Sequence, residues 1–331
     1  MNLLRRVASI LLVASLGSLG NAAGAAAQPA PGMHRIAYVN VGPEAPNASN
    51  VAAFREGLRE LGYIEGRNVV IDFRWGNGRV ETLPGLIREL LELKPDIILS
   101  GGGQPTILAV KAATTSVPVV FITGDPVAEG VVASLAHPGG NLTGYAALAQ
   151  DLEGKRLEML RELLPGARRI ALIWNPATPS SVMSKRTAEA MAQKLGLSVR
   201  WFEARNPAEL QKALAAIPPE GLDAMMLLAD PVLGFQRQQI LAAAAQRRLP
   251  AVYFWREFVV EGGLMSYGTN LTAVYRHAAR YADKIFHGAK PADLPIEQPA
   301  TFELVINLNT AKTLGLAVPQ SLLLRADEII R

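Results

Sequence analysis

The chain has 331 residues, of which 50% are apolar, 19% charged and 6% aromatic, with a formal net charge of +4. That composition is globular rather than disordered, and at ~150 residues per domain the length predicts about two domains. Zero cysteines exclude a disulfide framework, a thiol nucleophile, an iron–sulfur or thiolate zinc site and a lipidated N-terminal cysteine, and four histidines restrict other metal chemistry.

At the N-terminus, Arg5 and Arg6 precede an uncharged apolar run from Val7 to Leu19, and Ala25-Ala26-Ala27 follows with small residues. This pattern predicts a secretory signal peptide cut after Ala27 and an exported, periplasmic protein. An uncleaved membrane anchor is the alternative, although the run is short for a span of ~20 residues. Loss of Arg5 and Arg6 leaves 31 basic residues against 29 acidic ones. They alternate in sequence, as in Arg55-Glu56 and Arg88-Glu89, so no nucleic-acid partner is expected.

Beyond the Pro/Gly-rich stretch Gln28–Gly32, short β-branched runs alternate with amphipathic segments, the pattern of βα units and parallel sheets. Strands are predicted at Arg35–Val41, Asn68–Trp75, Asp96–Ser100, Val117–Thr123 and Asn141–Tyr145, with helices at Ala48–Leu61, Val80–Leu93 and Pro105–Thr115. The series then begins again. Strands are predicted at Arg169–Asn175, Leu197–Glu203, Ala224–Leu228 and Ala251–Phe254, and helices at Thr178–Leu195, Pro207–Ala215 and Gly234–Gln246. Gly62 and Gly196 follow helix ends, as C-cap chemistry requires.

Residues from Gly263 to Arg331 are too few for a further domain. They read as a strand (Gly263–Tyr267), a helix (Leu271–His287), an extended stretch (Lys290–Pro299), a strand (Phe302–Asn307) and a terminal helix. The fold class expected is therefore α/β: two Rossmann-like lobes with parallel-rich sheets joined by a multi-crossover hinge. Residues 28–147 plus 268–300 would form the first lobe, and 148–267 plus 301–331 the second, with a first crossing near Tyr145–Asp151. Two lobes on such a hinge enclose a cleft.

Catalytic templates are missing: there is no Walker loop, G-x-G-x-x-G, G-x-S-x-G or H-E-x-x-H. Leu264-Met265-Ser266-Tyr267-Gly268 comes nearest to a nucleophile elbow but lacks the first glycine, and reads as a strand end. His34, His137, His277 and His287 do not have ligand spacing, so neither a metal nor another cofactor is expected. The polar and Gly-rich loops instead sit at the C-terminal ends of strands, where open α/β sheets hold ligands. Gly101, Gly102, Gly103 and Gln104 form the sharpest such loop, suited either to close backbone approach and anion binding or to a flexible turn. Thr123, Gly124 and Asp125 follow the next strand. Asn175 and Ser180 precede or open a helix in the second series, as does Asp230. Asp125-Pro126 and Asp230-Pro231 also match helix caps, so each aspartate is either a cap or a partner for a ligand cation. Tyr253, Trp255 and Glu257 cluster at a strand end, where the aromatic rings can stack on a flat ligand or belong to the core.

One stretch carries a resemblance. It runs Val119-Val120-Phe121-Ile122-Thr123-Gly124-Asp125-Pro126-Val127, then Gly130 to Leu135, then Pro138-Gly139-Gly140-Asn141-Leu142-Thr143-Gly144. With Phe54–Tyr63, Glu65–Asn68, Asn307–Leu316, Pro319, Leu322-Leu323 and Arg325–Asp327, it resembles the ABC-transporter substrate-binding family that includes tryptophan- and tyrosine-binding members. The resemblance covers the whole mature chain. It implies a type I periplasmic-binding-protein fold with three crossovers and a solute cleft, with Gly101–Gln104, Thr123–Asp125, Asn175, Asp230 and the stretch near Trp255 on the ligand. The missing lipobox cysteine departs from many members and implies a free periplasmic protein.

The expected function is thus a non-catalytic, monomeric solute receptor that delivers a small organic molecule, such as an aromatic or branched amino acid, to an inner-membrane permease. In that reading glycine-loop and helix-start amides take the carboxylate, Asp125 or Asp230 the ammonium, and Tyr253 or Trp255 the side chain. A ligand sensor signalling to a membrane partner and an exported enzyme on the same fold are the alternatives.

Overall fold

The computed structural model describes residues 32–147, 152–299 and 301–331. The predicted leader and its cleavage site lie outside the described residues, as do residues 148–151 of the predicted first crossing. The first series of elements is β1 (His34–Asn40), α1 (Ala48–Glu60), β2 (Val69–Trp75), α2 (Leu83–Glu92), β3 (Ile97–Gly101), α3 (Gln104–Ala113), β4 (Val119–Thr123) and β5 (Leu142–Ala146). These strands form one parallel sheet in the order β2-β1-β3-β4-β5, with Ile36 opposite both Ile71 and Ile97. All residues of β3 and β4 are buried, because helices cover both faces of a parallel sheet.

The second series is α4 (Leu152–Leu163), β6 (Arg169–Trp174), α5 (Pro179–Lys194), β7 (Ser198–Glu203), α6 (Pro207–Ala216), β8 (Ala224–Leu227), α7 (Pro231–Phe235), α8 (Arg237–Gln246), β9 (Ala251–Tyr253), α9 (Arg256–Val260) and β10 (Met265–Gly268). The chain closes with α10 (Leu271–Phe286), β11 (Glu303–Asn307), α11 (Leu308–Leu314), α12 (Gln320–Arg325) and β12 (Glu328–Ile330). Seven strands build the second sheet in the order β12-β11-β10-β9-β8-β6-β7. Among the described residues its only antiparallel neighbours are β10 and β11.

After β5 the chain moves from the first sheet to the second. After β10 it returns, and α10 lies along α1 so closely that a Cβ on Gly57 would strike the Arg276 carbonyl. Glu297 then pairs beside β5, its amide donating to Gly144 O at 3.0 Å, before the chain goes back to form β11. Each sheet has an apolar cluster on both faces, centred on Tyr38 and Phe121 in the first lobe and on Leu172 and Phe254 in the second.

The order of parallel strands reverses between β1 and β3 in one sheet and between β6 and β8 in the other. Crevices open at such points beyond the carboxyl ends of the strands.

The structure departs from the predicted elements at several places, among them an unpredicted short helix, α9. No helix is predicted between residues 145 and 169, yet α4 stands there with Glu153 and Arg156 buried on its core face. The predicted helix Gly234–Gln246 is two helices, broken at Gln236, since Asp230 starts α7 earlier. The extended stretch Lys290–Pro299 contains a 3₁₀ turn at Pro291–Asp293. The terminal helix ends at Arg325, and Asp327 then exchanges backbone and side-chain bonds with Leu304, which starts β12 on the sheet edge.

Candidate functional site

A cavity of ≈ 210 Å³ lies between the two sheets, walled by the loops at both reversal points. Ten of the predicted site residues line it: Gly102, Gly103, Gln104, Thr123, Gly124 and Asp125 from the first lobe, and Asn175, Ser180, Asp230 and Trp255 from the second. Gly101, Tyr253 and Glu257 do not. Gly101 is buried beneath Tyr275, Asn40 and Tyr38, where an added Cβ would come within 2.5 Å of the Tyr275 hydroxyl. Tyr253 is core, its ring stacked on Phe258 with centroids 4.6 Å apart. Glu257 begins α9 beside Arg256 and Arg237, and burial raises its pKa.

The glycine loop is shaped by what approaches it. Gly102 (φ +81°) and Gly103 (φ +76°) hold conformations that favour glycine. A Cβ on Gly102 would lie 2.6 Å from Asn40 Oδ1 in the same lobe, whereas one on Gly103 would lie 2.9 Å from Pro231 Cγ in the opposite lobe. Gly42 likewise leaves room for Phe235, whose ring would stand 2.5 Å from an added Cβ. Helix α7 therefore seats Pro231 and Phe235 against two glycines of the first lobe, and the lobes are closed upon each other. Gln104 anchors the next loop by donating to Glu129 O at 3.0 Å.

On the second lobe, Asp230 is 2% exposed and caps α7 as its Asp-Pro sequence predicts. Its Oδ1 accepts from Val232 N (2.8 Å) and Leu233 N (3.4 Å), and its Oδ2 from Asn175 Nδ2 (3.1 Å) and Thr178 Oγ1 (2.9 Å). Burial outweighs these donors and raises its pKa. This carboxylate ties β6, α5 and α7 together. Asp125 caps only a single turn, its Oδ1 accepting from Val127 N and Ala128 N, and no helix follows it. Trp255 reaches the cavity across Gly234, where any Cβ would collide with its indole.

Sequence reasoning missed several cavity residues with buried polar groups, of which four bear on the argument. Glu129 is 5% exposed and spans the lobes: its Oε1 accepts from Ser180 Oγ at 3.0 Å and Asp125 N at 3.3 Å, and its Oε2 from Thr123 Oγ1. Asn50, Arg156 and Tyr275 also line the cavity, with Arg156 held to Glu153 at 2.5 Å. The available signal for Glu129 was its place four residues after Asp125, in the turn that ends β4. Among the described residues no group of three or more His, Asp or Glu side chains is arranged to hold a metal.

Burial raises the Glu129 pKa from 4.5 to about 6, more than its hydrogen bonds lower it. Between those values the folded protein binds the proton more tightly than the unfolded chain. Protonation thus favours folding below pH 4.5, and that benefit is lost as pH rises through about 6. Glu129→Gln is expected to gain stability relative to wild type over this window, by about 2 kcal/mol at pH 7.5. Denaturant midpoints measured from pH 4.5 to 7.5 check this, and parallel profiles would contradict it.

A family profile described as ABC transporter substrate binding protein matches residues 44–330. A tyrosine-binding protein of Clostridioides difficile is 25% identical over 265 residues, covering 80% of this chain and 75% of its own. A conserved domain protein from Vibrio cholerae superposes with a TM-score of 0.83 at 26% identity, over 90% of this chain and 99% of that one. The ABC domain from Streptococcus pneumoniae in complex with L-Trp does so with a TM-score of 0.81 at 23% identity, over 90% and 100%. With a profile match over most of its length and two sheets opposed across a cleft, the chain belongs to the ABC transporter substrate-binding protein family.

Proposed function

We propose that the protein is the exported, monomeric receptor of an ABC importer and delivers an amino acid with an aromatic or branched side chain to an inner-membrane permease. The observation that carries this reading is the cavity itself, which both lobes close and which pairs an apolar wall with buried polar groups. Trp255, Phe235 and Phe254 offer the apolar surface for a side chain, while Asn175, Thr178 and Glu129 offer hydrogen-bonding groups. The names of the L-Trp-bound and tyrosine-binding relatives support the same class of solute. The segments 28–147 plus 268–300 and 148–267 plus 301–331 act as the two lobes. Ligand contacts made only when they meet shift the population toward the closed form, with no chemical step. Export rests on the N-terminal signal pattern. Among the described residues no helix is long and apolar enough to cross a membrane.

Thermal unfolding against a panel of amino acids, carboxylates and sugars tests this. An aromatic or branched amino acid at a hundred times its Kd is expected to add about 2.7 kcal/mol, a clear rise in Tm. A rise with sugars alone, or with none of the panel, would overturn the amino-acid reading.

A further inference from the structure

On the receptor reading above, we propose that Glu129 receives the ammonium group of the solute, so that the site requires an amine more strictly than it requires a carboxylate. Among the described residues, all three donors to this carboxylate are uncharged, two hydroxyls and one amide, and no basic side chain is among the groups that act on it. A carboxylate offers about four acceptor positions, two on each oxygen. Among the described residues, Asp230 across the cavity has two donors on each oxygen, whereas Glu129 Oε2 has Thr123 alone. Gly124 keeps one flank of Glu129 free of side-chain carbon: a Cβ there would stand 3.1 Å from Oε1.

The charge balance of the wall points the same way. Its two arginines are already committed, Arg156 to Glu153 at 2.5 Å and Arg205 to Glu203 and Glu209 at 2.7 and 3.0 Å. A second buried acceptor, Asn50 Oδ1, belongs to a residue that lines the cavity at 7% exposure and has no hydrogen-bond partner among the described residues. A buried carboxylate without a cation is unfavourable, and a ligand ammonium in hydrogen-bond contact supplies that cation. The helix-start amides of α3 and α5 suit a ligand carboxylate, but being neutral they leave the charge of Glu129 uncompensated.

The test compares wild type and Glu129→Gln, by calorimetry and thermal shift, with three probes of one side chain: L-tryptophan, tryptamine and indole-3-propionate, and with the tyrosine counterparts. In wild type the deaminated acid is expected to bind at least a hundredfold more weakly than the amino acid, and the amine to keep more of the affinity than the acid does. Glu129→Gln is expected to lose at least tenfold for the amino acid and the amine while leaving the acid unchanged or improved. Glu129→Asp, which keeps the charge but shortens its reach, retains the preference for amine over acid.

An equal loss for all three probes in a folded Gln variant would overturn the assignment in favour of a purely structural carboxylate. So would a wild type that prefers the acid, or a solute from the wider panel that carries no ammonium. A simple amine that binds where every amino acid fails would overturn the amino-acid reading and leave the role of Glu129 standing.

Discussion

Arg156→Met is expected to destabilise the protein by on the order of 3–5 kcal/mol, the usual loss when one member of a buried ion pair is removed. Arg156 is 1% exposed and its partner Glu153 is fully buried, one turn apart at the start of α4. The pair organises three parts of the second lobe. Arg156 Nε donates to Tyr267 O on β10 at 2.7 Å, and Glu153 Oε1 accepts from Ala229 N, just beyond β8, at 3.2 Å. Burial already raises the Glu153 pKa, and without the guanidinium this carboxylate must take up a proton or open a path to water. The paired variant Glu153→Leu/Arg156→Met leaves no buried charge, and is expected to recover at least half of the loss. Urea midpoints of the single and paired variants read this directly. If the paired variant is no better than Arg156→Met alone, the cost lies in lost packing and in the Tyr267 bond rather than in an orphaned charge.

That same pair shows why part of the fold was illegible in the sequence. The strands were readable because runs such as Val119–Ile122 are apolar throughout, the mark of a parallel strand covered on both faces. Helix α4 was not, because Glu153 and Arg156 occupy core positions and break the apolar period that identifies a helix. The site was readable to the extent that it follows from topology: loops at strand ends reach the cleft because the strand order reverses there. Glu129 was hidden because one of its hydrogen-bond partners, Ser180, lies 51 residues away in the other lobe. The aromatic cluster misled for a local reason. Tyr253 ends β9 facing the core, the chain then turns, and Trp255 at the start of α9 is directed to the cavity independently of strand alternation.

Gly103→Ala is expected to weaken solute binding at least tenfold, and more than it weakens folding, because its added methyl meets the opposite lobe. Gly103 precedes α3 at φ 76° and ψ −161°, a region almost restricted to glycine, so alanine there carries roughly 1–3 kcal/mol of strain whether the lobes are apart or together. Only on closure does the new Cβ come within 2.9 Å of Pro231 Cγ. The clash raises the free energy of the closed state alone, and affinity falls with the population of the binding-competent form. Gly102→Ala is the informative comparison. Its Cβ would strike Asn40 Oδ1 at 2.6 Å within its own lobe, so it is expected to lower Tm with a smaller loss of affinity per unit of stability. Adding Pro231→Ala to Gly103→Ala removes the opposing ring, and should restore affinity while the backbone strain keeps Tm low, a coupling that a double-mutant cycle isolates. Small-angle scattering with saturating solute gives a second readout, since Gly103→Ala should keep the larger radius of the open form. If Pro231→Ala fails to restore binding, the loss arises within the glycine loop rather than between the lobes.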